Sequence, residues 1–136
     1  MRIAADANVL LASVLGGRAR LILTHPEVEE VLTPEAMMAE VEEYALLLAE
    51  KKRLRPQTVL LALAALPVTV INRSRYSRQL SEARRLMANR DPDDVDLLAL
   101  ALHFKLAVWS NDRDFENLPI DCYTTEELLR HLRVIR

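Results

Sequence analysis

The chain has only two glycines, Gly16 and Gly17, among 136 residues. A phosphate-binding P-loop, a dinucleotide-binding G-x-G-x-x-G and a G-x-S-x-G nucleophile elbow each need more glycines or another spacing, so none of them can be written here. One cysteine, Cys122, excludes an intrachain disulfide framework. With only His25, His103 and His131 beside it, no four-ligand zinc set of the usual kind can be assembled. No run of 18 residues is both apolar and free of charge, so a membrane-spanning helix is not expected. The opening Met1 to Leu15 carries Arg2 and an apolar stretch, but Asp6 and Asn8 interrupt what would be a signal core, and the segment reads as folded structure.

The chain does have enough apolar residues for a core. Its 51% hydrophobic and 28% charged composition lies in the globular range. Its length fits one domain at roughly 150 residues per domain. The single thiol suits a reducing, cytoplasmic setting. The net charge is −2, and its distribution is uneven. Lys51, Lys52, Arg53 and Arg55 form one basic block, and Arg73, Arg75, Arg78, Arg84, Arg85 and Arg90 form a second, while acids gather at Asp91, Asp93, Asp94 and Asp96.

Apolar periodicity predicts strands at Arg2 to Ala5, Val28 to Leu32, Pro67 to Ile71, Leu106 to Trp109 and Ile120 to Tyr123. Helices are expected after Asp6-Ala7-Asn8, from Val9 onward, at Arg18 to Leu23, from Pro34 to Arg53, from Pro56 to Leu66, at Ser77 to Ala88, from Asp91-Pro92, and at Thr124 to Arg133. In the third of these, Met37, Val41, Tyr44, Ala45 and Leu48 define the expected buried face, and Thr33 is placed as its cap with Pro34 in its first turn. The apolar segment Thr58 to Leu66 is open to two readings, core or dimer surface, with core favoured because apolar stripes at helical spacing usually are. Thr124 and Glu127 have capping-box spacing. Strands alternating with helices imply an α/β fold, a mostly parallel sheet of about five strands between two helical layers. Ligands of such sheets bind beyond the carboxyl ends of the strands.

Acids fall at those ends. Asp6 lies between an apolar strand and an apolar helix, so it is expected to be partly buried and to need a partner. Asp91 can cap a helix opened by Pro92, with Asp93 and Asp94 complementing the helix dipole. Asp112 and Asp114 suit a turn. At about 100° per residue, Glu40 lies roughly 90° from the centre of its helix's apolar face and is the glutamate nearest the interior. Carboxylates crowded together repel one another unless a cation compensates them, and an oxygen-only ligand set selects a hard ion such as Mg²⁺ or Mn²⁺.

These segments together resemble the PIN domains, metal-dependent ribonucleases that include many toxins of bacterial and archaeal toxin–antitoxin pairs. Asp6-Ala7-Asn8-Val9-Leu10 resembles the opening aspartate motif, and Glu40 within Pro34 to Tyr44 the helical glutamate. Asp91 to Asp94 running into Leu97 to Leu102 is similar to the third acidic site, and Leu106 to Phe115 to the fourth. The resemblance implies catalytic and metal-binding roles for Asp6, Glu40, Asp94 and Asp112, with Asp114 auxiliary and Asn8 and Ser110 as supporting polar groups. Asp96 departs from the family pattern, and the choice among Asp93, Asp94 and Asp96 stays open. Also implied are an RNA substrate, a homodimer and an antitoxin partner. Arg78, Arg84 and Arg85 are candidates for holding RNA phosphates, with a solvated helix face as the alternative. Receiver domains and haloacid-dehalogenase phosphatases also set acids at strand ends. Asn8 cannot serve as the second aspartate of the latter, and Asp6 stands alone where a receiver would pair acids. A PIN-like interaction module without catalysis is the remaining alternative, and the complete acid set argues against it.

Overall fold

The computed structural model describes residues 1–88 and 91–136. Its centre is a five-stranded sheet in the order β3-β2-β1-β4-β5, with β1 at Arg2–Ala5, β2 at Glu30–Pro34, β3 at Thr69–Ile71, β4 at Ala107–Trp109 and β5 at Cys122–Tyr123. Every neighbouring pair is parallel. Seven α-helices among the described residues complete the α/β fold: α1 (Ala7–Val14), α2 (Ala19–Leu23), α3 (Glu35–Lys51), α4 (Pro56–Ala64), α5 (Leu80–Leu86), α6 (Pro92–Phe104) and α7 (Thr125–His131).

The sheet interior shows why the strands read as continuous apolar runs. Ile3, Ala4, Ala5, Leu32, Val108 and Trp109 are all fully buried, as expected where helices cover both faces. The strand order reverses at β1. β2 and β3 lie on one side of it and β4 and β5 on the other, so the carboxyl edge between β1 and β4 is the switch point where ligands of open α/β sheets bind. The backbone N–H of Asp6 donates to the carbonyl of Trp109 at 3.2 Å, joining the two chain segments that leave that edge.

The structure corrects three local expectations. Thr33 is not a cap. It ends β2 as a buried residue, and its hydroxyl donates 2.9 Å to the carbonyl of Ala5, with Pro34 at the strand end and α3 starting at Glu35. Tyr44 is exposed and Leu48 only half-buried, and the inner face of α3 runs through Met37, Val41, Ala45 and Ala49. In α4 only Val59 and Leu63 are buried, while Leu60 and Leu61 remain exposed, so much of that apolar segment is surface.

Glycine scarcity shows at the helix ends. The left-handed conformation that commonly terminates helices is taken by Arg53 (φ 56°) after α3, by Lys105 (φ 57°) after α6 and by Arg133 (φ 62°) after α7. Each carries the steric strain that glycine would avoid. The capping box of α7 is formed in both directions by Thr124 and Glu127.

Candidate metal centre

Asp6 leaves β1 and turns the chain into α1. Its Oδ1 accepts the Val9 N–H at 3.0 Å, which makes it the helix cap, and its Oδ2 accepts the hydroxyl of Ser110. Only 4% of the residue is exposed. Burial pushes its carboxyl pKa up, as does the nearby charge of Asp112, while the hydrogen bonds from Ser110, Val9 and Asn8 work in the opposite direction. Ser110, itself buried, also accepts the backbone N–H of Asp112 at 3.0 Å. One hydroxyl therefore ties the acid after β1 to the acid after β4.

Asp112 opens a 3₁₀ turn over Arg113–Phe115 and caps it through an Asp114 N–H bond of 2.9 Å. The loop carrying both acids is anchored to α7. The indole of Trp109 donates to Thr125 Oγ1 at 3.0 Å, and Asn111 Oδ1 accepts the Thr125 N–H at 2.8 Å. Across the cleft, Asp91 caps α6 by accepting the Asp93 N–H at 2.8 Å, with Pro92 in the first helical position. Asp94 follows in the same turn. Burial pushes its pKa up to about 6, helped by the charges of Asp91, Asp112, Asp6 and Asp114.

Glu40 comes from the inner side of α3. Partial burial raises its pKa to about 7, reinforced by a hydrogen bond to Asp93 and by the charges of Asp93, Asp91 and Asp94. Asp6, Asn8, Glu40, Asp91, Asp94 and Asp112 line one cleft of about 180 Å³. Carboxylate oxygens of Asp94, Asp112 and Asp114 lie within 4.8 Å of one another. The donor set is all oxygen and its members repel, so it fits a hard divalent cation. A larger cavity of about 600 Å³, bounded by Lys105, Leu118 and Asp121, lies at the amino ends of β4 and β5, away from these acids.

The cleft thus gathers every acid expected to act except Asp114, which joins Asp94 and Asp112 at its rim. Among the three uncertain positions, Asp94 faces the cluster, Asp93 meets Glu40, and Asp96 turns away to Arg73 and Tyr76. Asp91, expected as a cap within the acidic group that opens this helix, both caps α6 and lines the cleft. Asn8 lines the cleft as an exposed residue. The second basic block is partly occupied: Arg73 pairs with Asp96 at 3.0 Å, Arg75 lies 5.4 Å from the Phe104 ring centroid, and Arg85 bonds Glu82 at 3.0 Å through Nε. Arg78 and Arg84 are exposed, and neither they nor Arg85 lines the acidic cleft. Arg90 lies outside the described residues.

Residues 4–133 match the PIN domain family. The chain belongs to the PIN domain family. Solved structures share its fold at low sequence identity. PAE2754 from Pyrobaculum aerophilum aligns with a TM-score of 0.69 at 16% identity, over 99% of this chain and 91% of that one. A toxin–antitoxin complex from Klebsiella pneumoniae gives 0.62 at 19%, over 90% and 97%. The Mycobacterium tuberculosis toxin VapC20, described as cleaving the sarcin–ricin loop, gives 0.59 at 16%, over 87% and 95%. No curated protein matches this PIN domain in sequence. None of its helices is long and apolar enough to cross a membrane, among the described residues.

Proposed function

We propose that this PIN domain is a divalent-metal-dependent endoribonuclease, the toxin of a toxin–antitoxin pair, acting as a single nuclease domain in the cytoplasm. The observation that carries the reading is the convergence of Asp6, Glu40, Asp94 and Asp112 on one cleft at the switch point of the sheet. Asp94, Asp112 and Asp114 would hold Mg²⁺ or Mn²⁺, with Asp6 and Glu40 completing the acidic wall. When bound, the ion supplies Lewis acidity toward a phosphoryl oxygen and a water molecule made more acidic for attack on phosphorus.

The chain's own groups do the rest. Ser110 holds Asp6 and the Asp112 backbone in one arrangement, so the acidic wall is preorganised. Glu40 lines the same cleft, where its carboxylate would exchange a proton during hydrolysis. Hydrolysis breaks the bond between phosphorus and the leaving sugar oxygen, which takes up a proton. Without a cation the cleft repels an RNA backbone, so substrate binding and cation binding are coupled electrostatically. The exposed Arg78 and Arg84, with Arg85, would contact phosphates farther along the strand. Unpaired RNA reaches an open acidic cleft more readily than a duplex does.

Two partners follow from the same reading. The likeness to structures of toxin–antitoxin complexes supports an antitoxin partner, whose segment would cover the cleft, and the exposed Leu46, Leu47, Leu60 and Leu61 offer apolar surface on α3 and α4 for a homodimer. The test is cleavage of single-stranded RNA with Mn²⁺, Mg²⁺ or EDTA, comparing the wild type with Asp6→Asn. Internal cuts that need the ion and vanish in the variant are expected. Cleavage that resists EDTA would refute the metal mechanism, and Mn²⁺ binding without cleavage would favour a non-catalytic interaction module.

A further inference from the structure

Asp96 is the one buried carboxylate among the described residues that takes no part in the acidic cleft, with 2% of its surface exposed. Its Oδ1 accepts from Arg73 Nη2 at 3.0 Å and its Oδ2 from the Tyr76 hydroxyl at 2.6 Å. Arg73 and Tyr76 belong to the short segment after β3 that begins at Asn72. The Asn72 amide donates to Glu35 Oε2 at 2.9 Å, and its Oδ1 accepts the Ser74 N–H at 2.9 Å, which fixes the turn. Farther along, Gln79 meets His103 at 2.9 Å. The segment is therefore fastened at one end to the first turn of α3 and along its length to α6.

Those two helices carry Glu40 and the Asp91, Asp93 and Asp94 group. The two helices are in direct contact, and near their starts Glu40 hydrogen-bonds Asp93. Beside that contact lies a cavity of about 470 Å³, bounded by Glu35, Ala39, Arg73, Tyr76 and Asp93. Across this cavity the segment from Asn72 to Tyr76 bridges the two helices through its bonds to Glu35 and Asp96. Glu40 lies five residues beyond Glu35, about 7.5 Å along the axis, and Asp94 lies two residues before Asp96, so a displacement at either tie is carried by a stiff helix to the carboxylates. Apolar residues would usually fill such a position with no loss of stability. A carboxylate held by two donors of fixed direction offers an orientation that apolar packing does not. Pairing with Arg73 also keeps the charge of Asp96 from adding to the repulsion in the cleft.

We propose that the Asn72 to Tyr76 segment, tied to Glu35 on one side and Asp96 on the other, is a spacer that sets the separation of α3 and α6 at the acidic cleft. Asp96 is then a positioning residue and not a ligand. The link to ion binding rests on the cleft being a divalent-cation site. The test uses the full chain with Tyr76→Phe, which keeps the ring and removes the hydroxyl, Asn72→Ala at the exposed end, and Arg73→Lys as the conservative control. Mn²⁺ affinity is measured by calorimetry well below the melting temperature, and amide hydrogen exchange is followed in metal-free protein over residues 35–41 and 92–96. Tyr76→Phe and Asn72→Ala are each expected to weaken Mn²⁺ binding by about tenfold, the scale typical of residues that orient ligands, with Arg73→Lys close to wild type. Each of these two variants should also speed exchange in the helix whose own bond it leaves intact, α3 for Tyr76→Phe and α6 for Asn72→Ala. A lower melting temperature with Mn²⁺ affinity unchanged, or exchange altered only in the helix whose own bond is lost, would overturn the spacer. Should the wild type bind no Mn²⁺, the cation reading fails and the response of α3 to Tyr76→Phe still decides the spacer.

Discussion

Replacing Asp112 by Asn separates its two roles, because asparagine caps as well as aspartate and can keep the 2.9 Å bond from the Asp114 N–H, while the negative charge is lost. Asp112 has carboxylate oxygens of Asp94 and Asp114 within 4.8 Å. Like charges at that separation repel by about 0.9 kcal/mol in a water-like dielectric and roughly 3.5 kcal/mol at an effective dielectric of 20. Asp112 is exposed, so the lower figure applies to each neighbour and the relief amounts to about 1–2 kcal/mol. For a chain of this size that raises the metal-free melting temperature by roughly 3–8 °C. The same substitution removes a candidate ligand. If the cleft is the proposed cation site, Mn²⁺ at a hundredfold excess over its dissociation constant would stabilise the native wild type by about 2.7 kcal/mol, and the variant should gain far less. Scanning calorimetry of both proteins, with and without Mn²⁺, measures all four melting temperatures, and Asp121→Asn at the far end of the sheet controls for a change in net charge. A metal-free melting temperature that stays level or falls would refute the repulsion argument. Equal stabilisation of variant and wild type by Mn²⁺ would remove Asp112 from the cation site.

The pH dependence of metal-free stability should run opposite to that of most acidic pairs. Burial and neighbouring acids hold Glu40 near 7 and Asp94 near 6, above their unfolded values, so the native state binds more protons and stability falls as pH rises from about 4 to 7.5. After discounting for solvent screening, the loss is about 1–2 kcal/mol. Urea melts across that range check it, and stability that rises with pH in EDTA would contradict it. For RNA, changing Arg78, Arg84 and Arg85 together to alanine in a metal-loaded Glu40→Gln background should weaken binding and lower the salt slope by roughly 0.7 per lost phosphate contact. The pairing of Arg85 with Glu82 makes a loss of about two contacts the expected outcome, and an unchanged slope would leave these arginines as a solvated surface.

Much of the fold was legible because its cues are local. Buried strands between turn signals, Asp91 before Pro92, and the Thr124–Glu127 spacing all act within a few residues. The errors occur where a partner distant in sequence decides. Thr33 carries the local marks of a cap, yet its hydroxyl serves a carbonyl in β1, 28 residues away. Tyr44 was placed on the buried face because it follows Met37 and Val41 at helical spacing. The actual contact face of α3 uses Ala45 and Ala49, whose small side chains let neighbouring helices approach. At the cleft, Asp6 could be read from its apolar flanks, whereas Asp93, Asp94 and Asp96 share one local context. Only Arg73 and Tyr76, 23 and 20 residues upstream, show that Asp96 faces elsewhere.

Capping and site-building, which compete as explanations when the acids are read one at a time, coincide in space. Asp6 caps α1, Asp91 caps α6 and Asp112 caps the 3₁₀ turn after β4, and all three line the cleft. Asp94 lies in the first turn of α6. Helix starts present unpaired N–H groups and the positive end of the peptide dipoles, so each acid is stabilised by its own segment before it meets its neighbours. A parallel sheet delivers these helix starts to one edge, because every strand runs the same way and each connection begins at its carboxyl end. The topology thereby gathers negative charge at a cost that local capping offsets in part, and the remaining repulsion is what a cation would relieve. Replacing Asp6 by asparagine should consequently keep α1 capped while weakening the pull on an ion. Replacing it by alanine should remove both, and the difference between those two variants measures how much of the acid's presence is owed to folding alone.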